Sequence, residues 1–278
     1  MARMIALAVF SCFLLSGCTG AFFQPGNALY ADPAQLGQRY EVIKFKSADG
    51  TGLTGMFFAA GGKPSGTVVH FHGNAENMTS HFAYSSWLAG KGFNVFIFDY
   101  RGYGASEGKP SLPGIVADGV AALEHVRKIP GVDSQRVAVF GQSLGGAIAI
   151  AALARYQGPP PSALVLEGTF YSYKGVASAI LRRHWWTWPF SWLPWLVVSG
   201  EYSPAGDIRK ITCPKLFLHS EKDPVVPYSQ GMKLYREAGE PKKFVQIPRG
   251  HTDAFYAFRE TFGPVLEAFL NDAFRTEK

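Results

Sequence analysis

The feature that most constrains the fold of this sequence is a series of short runs that are apolar almost throughout, each followed by a longer stretch with helical character. Runs without apolar–polar alternation are what strands covered on both faces require. Strands that alternate with helices predict a mostly parallel, doubly wound sheet whose ligand site lies at the carboxyl ends of the strands. The predicted strands of this series are residues 67–71, 94–98, 136–140, 163–166, 215–218 and 243–247.

Two further strands, Glu41–Lys46 and residues 53–59, precede the series. Asp49-Gly50 lies between them and is typical of a hairpin turn, so an antiparallel hairpin is expected to extend the sheet. The chain has 278 residues, 47% of them hydrophobic, and this is enough to bury the core of one domain. The stretches with helical character are residues 81–89, 115–128, 144–156, 229–238 and 252–274.

The first residues form a targeting segment. Arg3 precedes an uncharged apolar run from Met4 to Leu15, which is shorter than the roughly 20 residues that span a bilayer. The run ends in Leu-Ser-Gly-Cys18, which resembles the lipobox of bacterial lipoproteins, whose cysteine becomes the lipidated first residue. That resemblance implies a signal peptide over residues 1–17, a lipid on Cys18 and a position in the bacterial cell envelope, facing outside the cytoplasm. An ordinary secretory peptide is the alternative.

Residues 18–40 contain glycine and proline without clear periodicity, so we interpret them as a tether to one domain over residues 41–278. Cleavage before Cys18 leaves only that cysteine and Cys213, and lipid on the first precludes a disulfide within the monomer. The net charge of +6 is scattered along the sequence. We therefore expect no nucleic-acid partner, and only a mild attraction to anionic lipid headgroups.

The pattern Gly-x-Ser-x-Gly, which presents a nucleophilic serine on a turn between a strand and a helix, occurs twice, around Ser143 and around Ser106. Context separates the two matches. The apolar run 137–140 leads directly into Ser143, and a helical stretch of small residues follows it. Polar residues follow Ser106, and no predicted strand touches it. Ser143 is the predicted nucleophile, and Ser106 is predicted to lie in a loop.

A serine hydroxyl needs a base to remove its proton, and the base needs a third group to hold its tautomer. Three histidines follow Ser143 in the sequence. His251 stands in a turn directly after the last predicted strand, which makes it the predicted base. We interpret His219, at the end of a strand, as structural, and His184 as a residue of the surface or of a lid.

Asp223 is the predicted orienting acid. It follows strand 215–218 in a loop, and Pro224 prevents a helix from starting there. Glu221 is the nearest alternative. Asp207 precedes the strand and is interpreted as a cap or surface residue, while Asp253 is too close to His251 in sequence to be the first choice.

Acyl transfer also needs preplaced donors for an oxyanion. The turn at Ser143 supplies the backbone N–H of Leu144. The second donor is expected in the loop that follows strand 67–71, where Gly73 lets the backbone turn and Asn74 supplies its N–H. A plain turn is the alternative interpretation of His72-Gly73-Asn74.

Taken together, these residues resemble the α/β-hydrolase superfamily, and within it the serine aminopeptidase-like and Bem-type branch of small hydrolases. The resemblance covers about residues 41–275 and implies hydrolysis of esters, thioesters or amides through an acyl-enzyme, without metal or organic cofactor. The motifs that carry it are Phe71-His72-Gly73-Asn74, Asp99-Tyr100-Arg101-Gly102-Tyr103-Gly104-Ala105-Ser106, Gly141-Gln142-Ser143-Leu144-Gly145-Gly146, Leu218-His219-Ser220-Glu221-Lys222-Asp223 and Gly250-His251.

Five of the six tryptophans fall within eleven residues, 185–195, between the strands 163–166 and 215–218. We interpret residues 171–211 as a lid insertion, with Trp185 and Trp186 as candidate substrate-binding residues. The tryptophans either pack the lid onto the core, or line an acyl-binding groove or rest at a membrane interface near Arg182 and Arg183.

The sequence therefore predicts a membrane-anchored serine hydrolase that acts on carboxylic esters or thioesters of small molecules or lipids. An aminopeptidase-type amide hydrolase and a non-catalytic binding protein on the same scaffold are the alternatives. A dehalogenase or an epoxide hydrolase is disfavoured because these enzymes need a carboxylate where Ser143 stands.

Overall fold

The computed structural model describes residues 23–275. The predicted signal peptide and Cys18 lie outside the described residues. The strands are β1 (Gln24–Pro25), β2 (Glu41–Lys46), β3 (Gly52–Phe58), β4 (Gly66–Phe71), β5 (Ala75–Glu76), β6 (Phe93–Asp99), β7 (Val137–Gln142), β8 (Ala163–Glu167), β9 (Lys215–Ser220) and β10 (Lys242–Ile247).

The α-helices within the same residues are α1 (Met78–His81), α2 (Leu112–Val126), α3 (Leu144–Leu153), α4 (Tyr173–Leu181), α5 (Pro194–Val197), α6 (Pro204–Asp207), α7 (Tyr228–Glu237) and α8 (Arg259–Arg275). Short 3-10 helices lie at Pro33–Leu36, Phe82–Tyr84, Ser86–Lys91, Trp188–Phe190 and Ile208–Lys210.

Eight strands form one sheet in the order β10-β9-β8-β7-β4-β6-β3-β2. The strands from β10 to β6 run parallel, whereas β3 pairs with β6, and β2 with β3, in antiparallel fashion. The predicted mostly parallel sheet with an opening hairpin is thus confirmed. Because the parallel strands share one direction, the loops that follow β4, β7, β8, β9 and β10 meet at one edge, which we call the carboxyl edge.

Apolar side chains fill both faces of the sheet. In β7, Val139 packs into the cluster that holds α2, α3 and α7, whereas Ala138 and Phe140 belong to the cluster on the opposite face with α8. Burial on both faces explains why this strand has no polar alternation. At about 25 cal/mol per Å² of apolar surface removed from water, these two clusters supply most of the favourable free energy of folding.

Two predicted helices differ from the structure. Where a helix over residues 81–89 was predicted, His81 ends α1 and two 3-10 helices follow, Phe82–Tyr84 and Ser86–Lys91, with Leu88 N–H donating to Ser85 O. The last helix begins at Arg259 and not at Thr252. Residues 254–258 form turns instead, in which Phe258 N–H donates to Asp253 O, and the N–H of Ala254 donates to the buried carboxylate of Glu167.

The described part of the predicted tether packs against the body. Strand β1 pairs with β5, and Phe23 is buried in the core. Asn77 Nδ2 donates to the carbonyls of Gly26 and Ala28 at 2.8 Å. The chain therefore enters the described part of the structure beside the loop that follows β4, at the carboxyl edge. No helix within residues 23–275 combines the length and the apolar composition that crossing a bilayer requires.

Candidate active site

Ser143 lies on a sharp turn between β7 and α3. Its backbone has φ 52° and ψ −118°, a conformation that L-residues rarely adopt and that costs free energy. The turn is held from outside, because the N–H of Ser143 donates to the carbonyl of Glu167 at the end of β8, at 2.8 Å. Ser143, the predicted nucleophile, therefore stands above the carboxyl edge of the sheet.

Close backbone packing makes this turn dependent on glycine. A Cβ on Gly145 would lie 2.1 Å from the carbonyl oxygen of Phe71, and one on Gly141 would lie 2.5 Å from the Cα of Gly146. Both distances are shorter than any real contact. The start of α3 is thereby pressed against the end of β4.

The imidazole of His251 and the carboxylate of Asp223 are in contact. Nδ1–H of His251 donates to Oδ2 of Asp223 at 2.7 Å, across 28 residues of sequence. The turn after β10 supplies the histidine and the loop after β9 supplies the acid. This bond places the proton on Nδ1 and leaves Nε2 as an acceptor.

Asp223 is buried and receives further donors. Its Oδ1 accepts from the N–H groups of Val225 and Val226 at 2.7 and 2.8 Å, and its Oδ2 lies 3.2 Å from Nε2 of His219. Burial alone would raise the pKa of Asp223. The hydrogen bonds from His219 and His251 outweigh burial and hold that pKa well below its ordinary value. The carboxylate is thus ionised and fixed in orientation.

The ring of His251 lies beside the end of β8, where the carbonyl of Glu167 accepts from the N–H of Ser143. Gly168 follows Glu167, and a Cβ on Gly168 would lie 3.0 Å from both Cε1 and Nδ1 of His251. Nε2 of His251 is buried and has no hydrogen-bond partner among residues 23–275. An unpaired buried acceptor is costly unless another group uses it. No hydrogen bond joins Nε2 to the Ser143 hydroxyl in this structure. The ring is near that turn because it contacts Gly168, which follows the residue whose carbonyl accepts from Ser143 N–H.

The two predicted oxyanion donors lie on adjoining segments. Leu144 opens α3, and Asn74 lies in the loop after β4, against which the start of α3 packs. Within the described chain neither backbone N–H donates a hydrogen bond. The Asn74 side chain is engaged, since its Oδ1 accepts from Gln24 N–H at 3.2 Å and from the Tyr103 hydroxyl at 3.3 Å. These contacts hold the loop and leave its backbone amide available.

The residues weighed as alternatives are placed elsewhere. Ser106 is buried in a loop, where its hydroxyl donates to Asp99 O and accepts from Thr54 N–H. Asp207 forms ion pairs with Arg155 and Lys210. Glu221 is exposed to solvent.

A buried polar chain behind the site was missing from the sequence-based prediction. Gln142 Nε2 donates to Glu167 Oε2 at 2.8 Å, and Ala254 N–H donates to Oε1 of the same carboxylate at 2.7 Å. Gln142 Oε1 accepts from Nε2–H of His70 at 3.0 Å, and Nδ1 of that ring accepts from Ser85 Oγ at 2.9 Å. The chain connects the residue before Ser143 with the segment that carries His251.

The protonation of this chain follows from its burial. Desolvation raises the pKa of Glu167 to about 7, although the donors Gln142 and Ala254 oppose it. Burial lowers the pKa of His70 well below its ordinary value, so that ring is neutral. The sequence offered one sign of this chain, because Glu167 ends a strand that is otherwise wholly apolar. The contact between His219 and Asp223 also had a sign in the sequence, since His219 lies only four residues before Asp223.

The insertion after β8 forms a cap of short helices, α4 to α6. Trp185 and Trp186 lie on its surface, 82% and 56% exposed, with their rings in edge-to-face contact. His184 stacks on Trp186 at a centroid distance of 4.8 Å. The indoles of this pair are therefore not packed into the core.

Comparison with known proteins gives concordant results. The family model described as "Serine aminopeptidase, S33" matches residues 62–209. The uncharacterized protein YfhR of Escherichia coli (strain K12) is 36% identical over 241 residues, which are 84% of this chain and 80% of that protein. Protein bem46 of Schizosaccharomyces pombe is 34% identical over 235 residues, covering 82% of this chain and 76% of its own length.

Among solved structures, the esterase Pf2001 of Pyrococcus furiosus superposes with a TM-score of 0.74 at 20% sequence identity. The match covers 90% of this chain and 98% of that one. At this level of identity the likeness shows that the two chains share a fold.

Proposed function

The chain belongs to the serine aminopeptidase S33 family of α/β hydrolases, and from this premise we propose that it is a lipid-anchored serine hydrolase of carboxylic esters or thioesters. Its substrates are small molecules or lipids. One observation carries the proposal: Nδ1–H of His251 donates to Asp223 at 2.7 Å, while Nε2 is left without a partner in the described chain, beside the strained turn at Ser143.

In the proposed mechanism, Nε2 of His251 removes the proton of the Ser143 hydroxyl while Oγ attacks the carbonyl carbon of the substrate. The N–H groups of Leu144 and Asn74 donate to the oxyanion that forms. His251 then gives the proton to the departing alcohol or thiol, which leaves an acyl-enzyme. Water attacks this ester by the same route and restores the serine. Asp223, already ionised, stabilises the imidazolium that forms in each half-reaction.

Charge favours an ester or thioester over the free N-terminus of a peptide. An aminopeptidase has to recognise an ammonium group, and an acidic side chain or a cluster of carbonyls near the nucleophile does this. The sequence has no aspartate or glutamate between Gly168 and Gly200, a range that includes most of the cap. Lys174, Arg182 and Arg183 in that range would repel an ammonium group.

The anchor is the part of the proposal that rests on the sequence alone. The lipobox-like ending at Cys18 supports a lipid on that residue, and hence a place in the bacterial cell envelope outside the cytoplasm. A single acyl chain gives only marginal membrane affinity, so a stable anchor needs a second acyl chain or a second contact.

The proposed function is tested with p-nitrophenyl esters of increasing acyl length and with the p-nitroanilide of an amino acid. We expect the chain to hydrolyse the esters, and Ser143→Ala to lower kcat by at least about 10⁴-fold. The buried Ser106→Ala variant is the matched control. Faster turnover of the anilide than of every ester would establish the aminopeptidase instead. Equal rates for wild type and Ser143→Ala would refute the assignment of the nucleophile.

A further inference from the structure

The cap carries a surface of exposed aromatic side chains that form no part of the proposed Ser143, His251 and Asp223 machinery. We call it the aromatic surface, and its rings are between 55% and 82% exposed. It consists of Trp185, Trp186, Trp188, Phe190, Trp192 and Trp195. Leu196, next to the last of these residues, is 72% exposed. Exposed apolar patches larger than a few hundred Å² mark interaction sites, and indoles of about 150–250 Å² each readily form one.

The backbone beneath these rings is bonded to the rest of the cap. Ser178 Oγ donates to Ser191 O at 2.6 Å, and Thr187 Oγ1 donates to Leu181 O at 2.6 Å. Arg183 donates to the carbonyl of Val225, in the loop that also carries Asp223. The aromatic surface is thus a built part of the cap, attached beside the candidate active site, and its rings point outward from a bonded backbone.

Positive charge accompanies the aromatic surface. Arg182 and Arg183 precede it directly and are both exposed, and no acidic residue occurs between Gly168 and Gly200. In the described part of the chain no ion pair engages either arginine. Tryptophan prefers the boundary between hydrocarbon and headgroups, and arginine is attracted to anionic headgroups.

The position at which the chain enters the described structure also favours a lipid bilayer at this surface. The cap follows the carboxyl end of β8, and Phe23 enters the described structure beside the loop after β4, at the same edge of the sheet. The five Cα–Cα steps from Cys18 to Phe23 span at most about 18 Å. A lipid on Cys18 would therefore hold this edge close to a bilayer. The inference from the chain entry rests on the proposed lipid anchor. The exposure of the aromatic rings and the charge of Arg182 and Arg183 do not depend on that anchor.

We propose that the aromatic surface docks on a lipid bilayer with anionic headgroups, with the indoles at the headgroup boundary and Arg182 and Arg183 on the phosphates. Docking turns the carboxyl edge of the sheet toward the membrane. It also adds a second contact with the bilayer to the proposed lipid on Cys18.

Intrinsic fluorescence of the full chain tests this directly, since five of the six tryptophans belong to the aromatic surface. The sixth, Trp87, is half-buried and donates to Tyr84 O at 3.0 Å. We expect vesicles of phosphatidylglycerol and phosphatidylcholine to shift the emission to the blue, and brominated lipid to quench it. Vesicles of phosphatidylcholine alone should have a much smaller effect. Repeating the titration with Cys18→Ser, which cannot be lipidated at that position, separates docking of the cap from attachment through the proposed lipid.

Matched variants separate the contribution of the arginines to membrane binding from that of the tryptophans. Arg182→Gln with Arg183→Gln should lower partitioning onto the anionic vesicles at least about tenfold. Trp185→Ser with Trp186→Ser should lower sedimentation with vesicles. Leu36→Ser with Val42→Ser, at residues 63% and 56% exposed outside the cap, should not. Circular dichroism and the thermal midpoint establish that each variant is folded.

Two outcomes would overturn the inference. One is an emission maximum that anionic vesicles leave unchanged. The other is a blue shift without vesicles that grows with protein concentration and accompanies a doubled sedimenting mass, which would assign the aromatic surface to a second copy of the chain. Ser143→Ala should dock like wild type. A chain that docks without hydrolysing esters therefore refutes only the proposed function, and a chain that hydrolyses them without docking refutes only this inference.

Discussion

For individual residues, the site depends on which hydrogen-bond partners each polar side chain has. Asp223 collects donors from two histidines and two backbone amides, and this keeps it ionised although it is buried. His251 has one ring nitrogen engaged and the other unpaired within residues 23–275. The sequence predicted the pair Asp223 and His251 from their places after strands. It did not predict the contact of His219, because spacing alone does not show which side of a strand end faces a neighbouring loop.

Glu167 offers a prediction that depends on pH. Its pKa is raised from 4.5 to about 7 by burial, so between these values the folded chain retains a proton that the unfolded chain releases. That contribution to stability is complete below about pH 4.5 and is lost as the pH rises through about 7. The free energy of unfolding of wild type, relative to Glu167→Gln, should therefore fall by about 1 kcal/mol per pH unit across this window.

Urea unfolding at a series of pH values measures this difference. The exposed Glu124→Gln variant on α2 is the control and should follow wild type. A difference between wild type and Glu167→Gln that stays constant from pH 4.5 to 8 would show that the carboxyl of Glu167 does not titrate in this way.

At the scale of the element, strands were easier to predict than helices. Each central strand is buried on both faces, so its apolar run is visible in sequence, as in Val137–Gln142. The predicted start of α8 at Thr252 was wrong, since residues 254–258 form turns and the helix begins at Arg259. The contact between Ala254 N–H and Glu167, 87 residues earlier in the chain, is one that no local pattern encodes. The cap was located from its tryptophans, but their exposure depends on how the backbone of the cap is bonded.

The cap also makes a prediction about acyl length. If a long acyl chain reaches the exposed indoles of Trp185 and Trp186, replacing both by alanine should lower kcat/KM for a dodecanoate ester about tenfold more than for an acetate ester, which is too short to reach them. Tenfold is about 1.4 kcal/mol, which corresponds to the lost apolar contact of roughly two methylene groups at ~0.8 kcal/mol each. The ratio of the two rates measures it, with Leu29→Ala as the control. Equal losses on both esters would exclude a role for the pair in acyl binding.

At the scale of the whole molecule, the features with chemical consequence collect at one edge of the sheet. The turn at Ser143, the loops of Asp223 and His251, the cap and the chain entry all follow or flank the carboxyl ends of parallel strands. The alternation of strands and helices in the sequence predicts this arrangement. The packing of β1 against β5 was not predictable, because glycine and proline near it are equally typical of a free tether.

The lipid anchor is tested through the mass of the mature protein. When the full chain is expressed in a bacterium, its first peptide should begin at Cys18 and carry the mass of attached acyl chains. Cys18→Ser should lack that mass. Mass spectrometry reads the modification itself, so attachment through the aromatic surface does not interfere. A mature wild-type chain that begins elsewhere, or that has no added mass, would exclude lipidation.

The most direct measurement of the central claim is the reaction of the folded chain with a fluorophosphonate probe, followed by mass spectrometry of the labelled peptide. We predict a covalent label on Ser143. Labelling should be abolished in Ser143→Ala, slowed by orders of magnitude in His251→Ala, and retained in Ser106→Ala. A folded wild-type chain that takes up no label, or that carries it on another serine, would contradict the account.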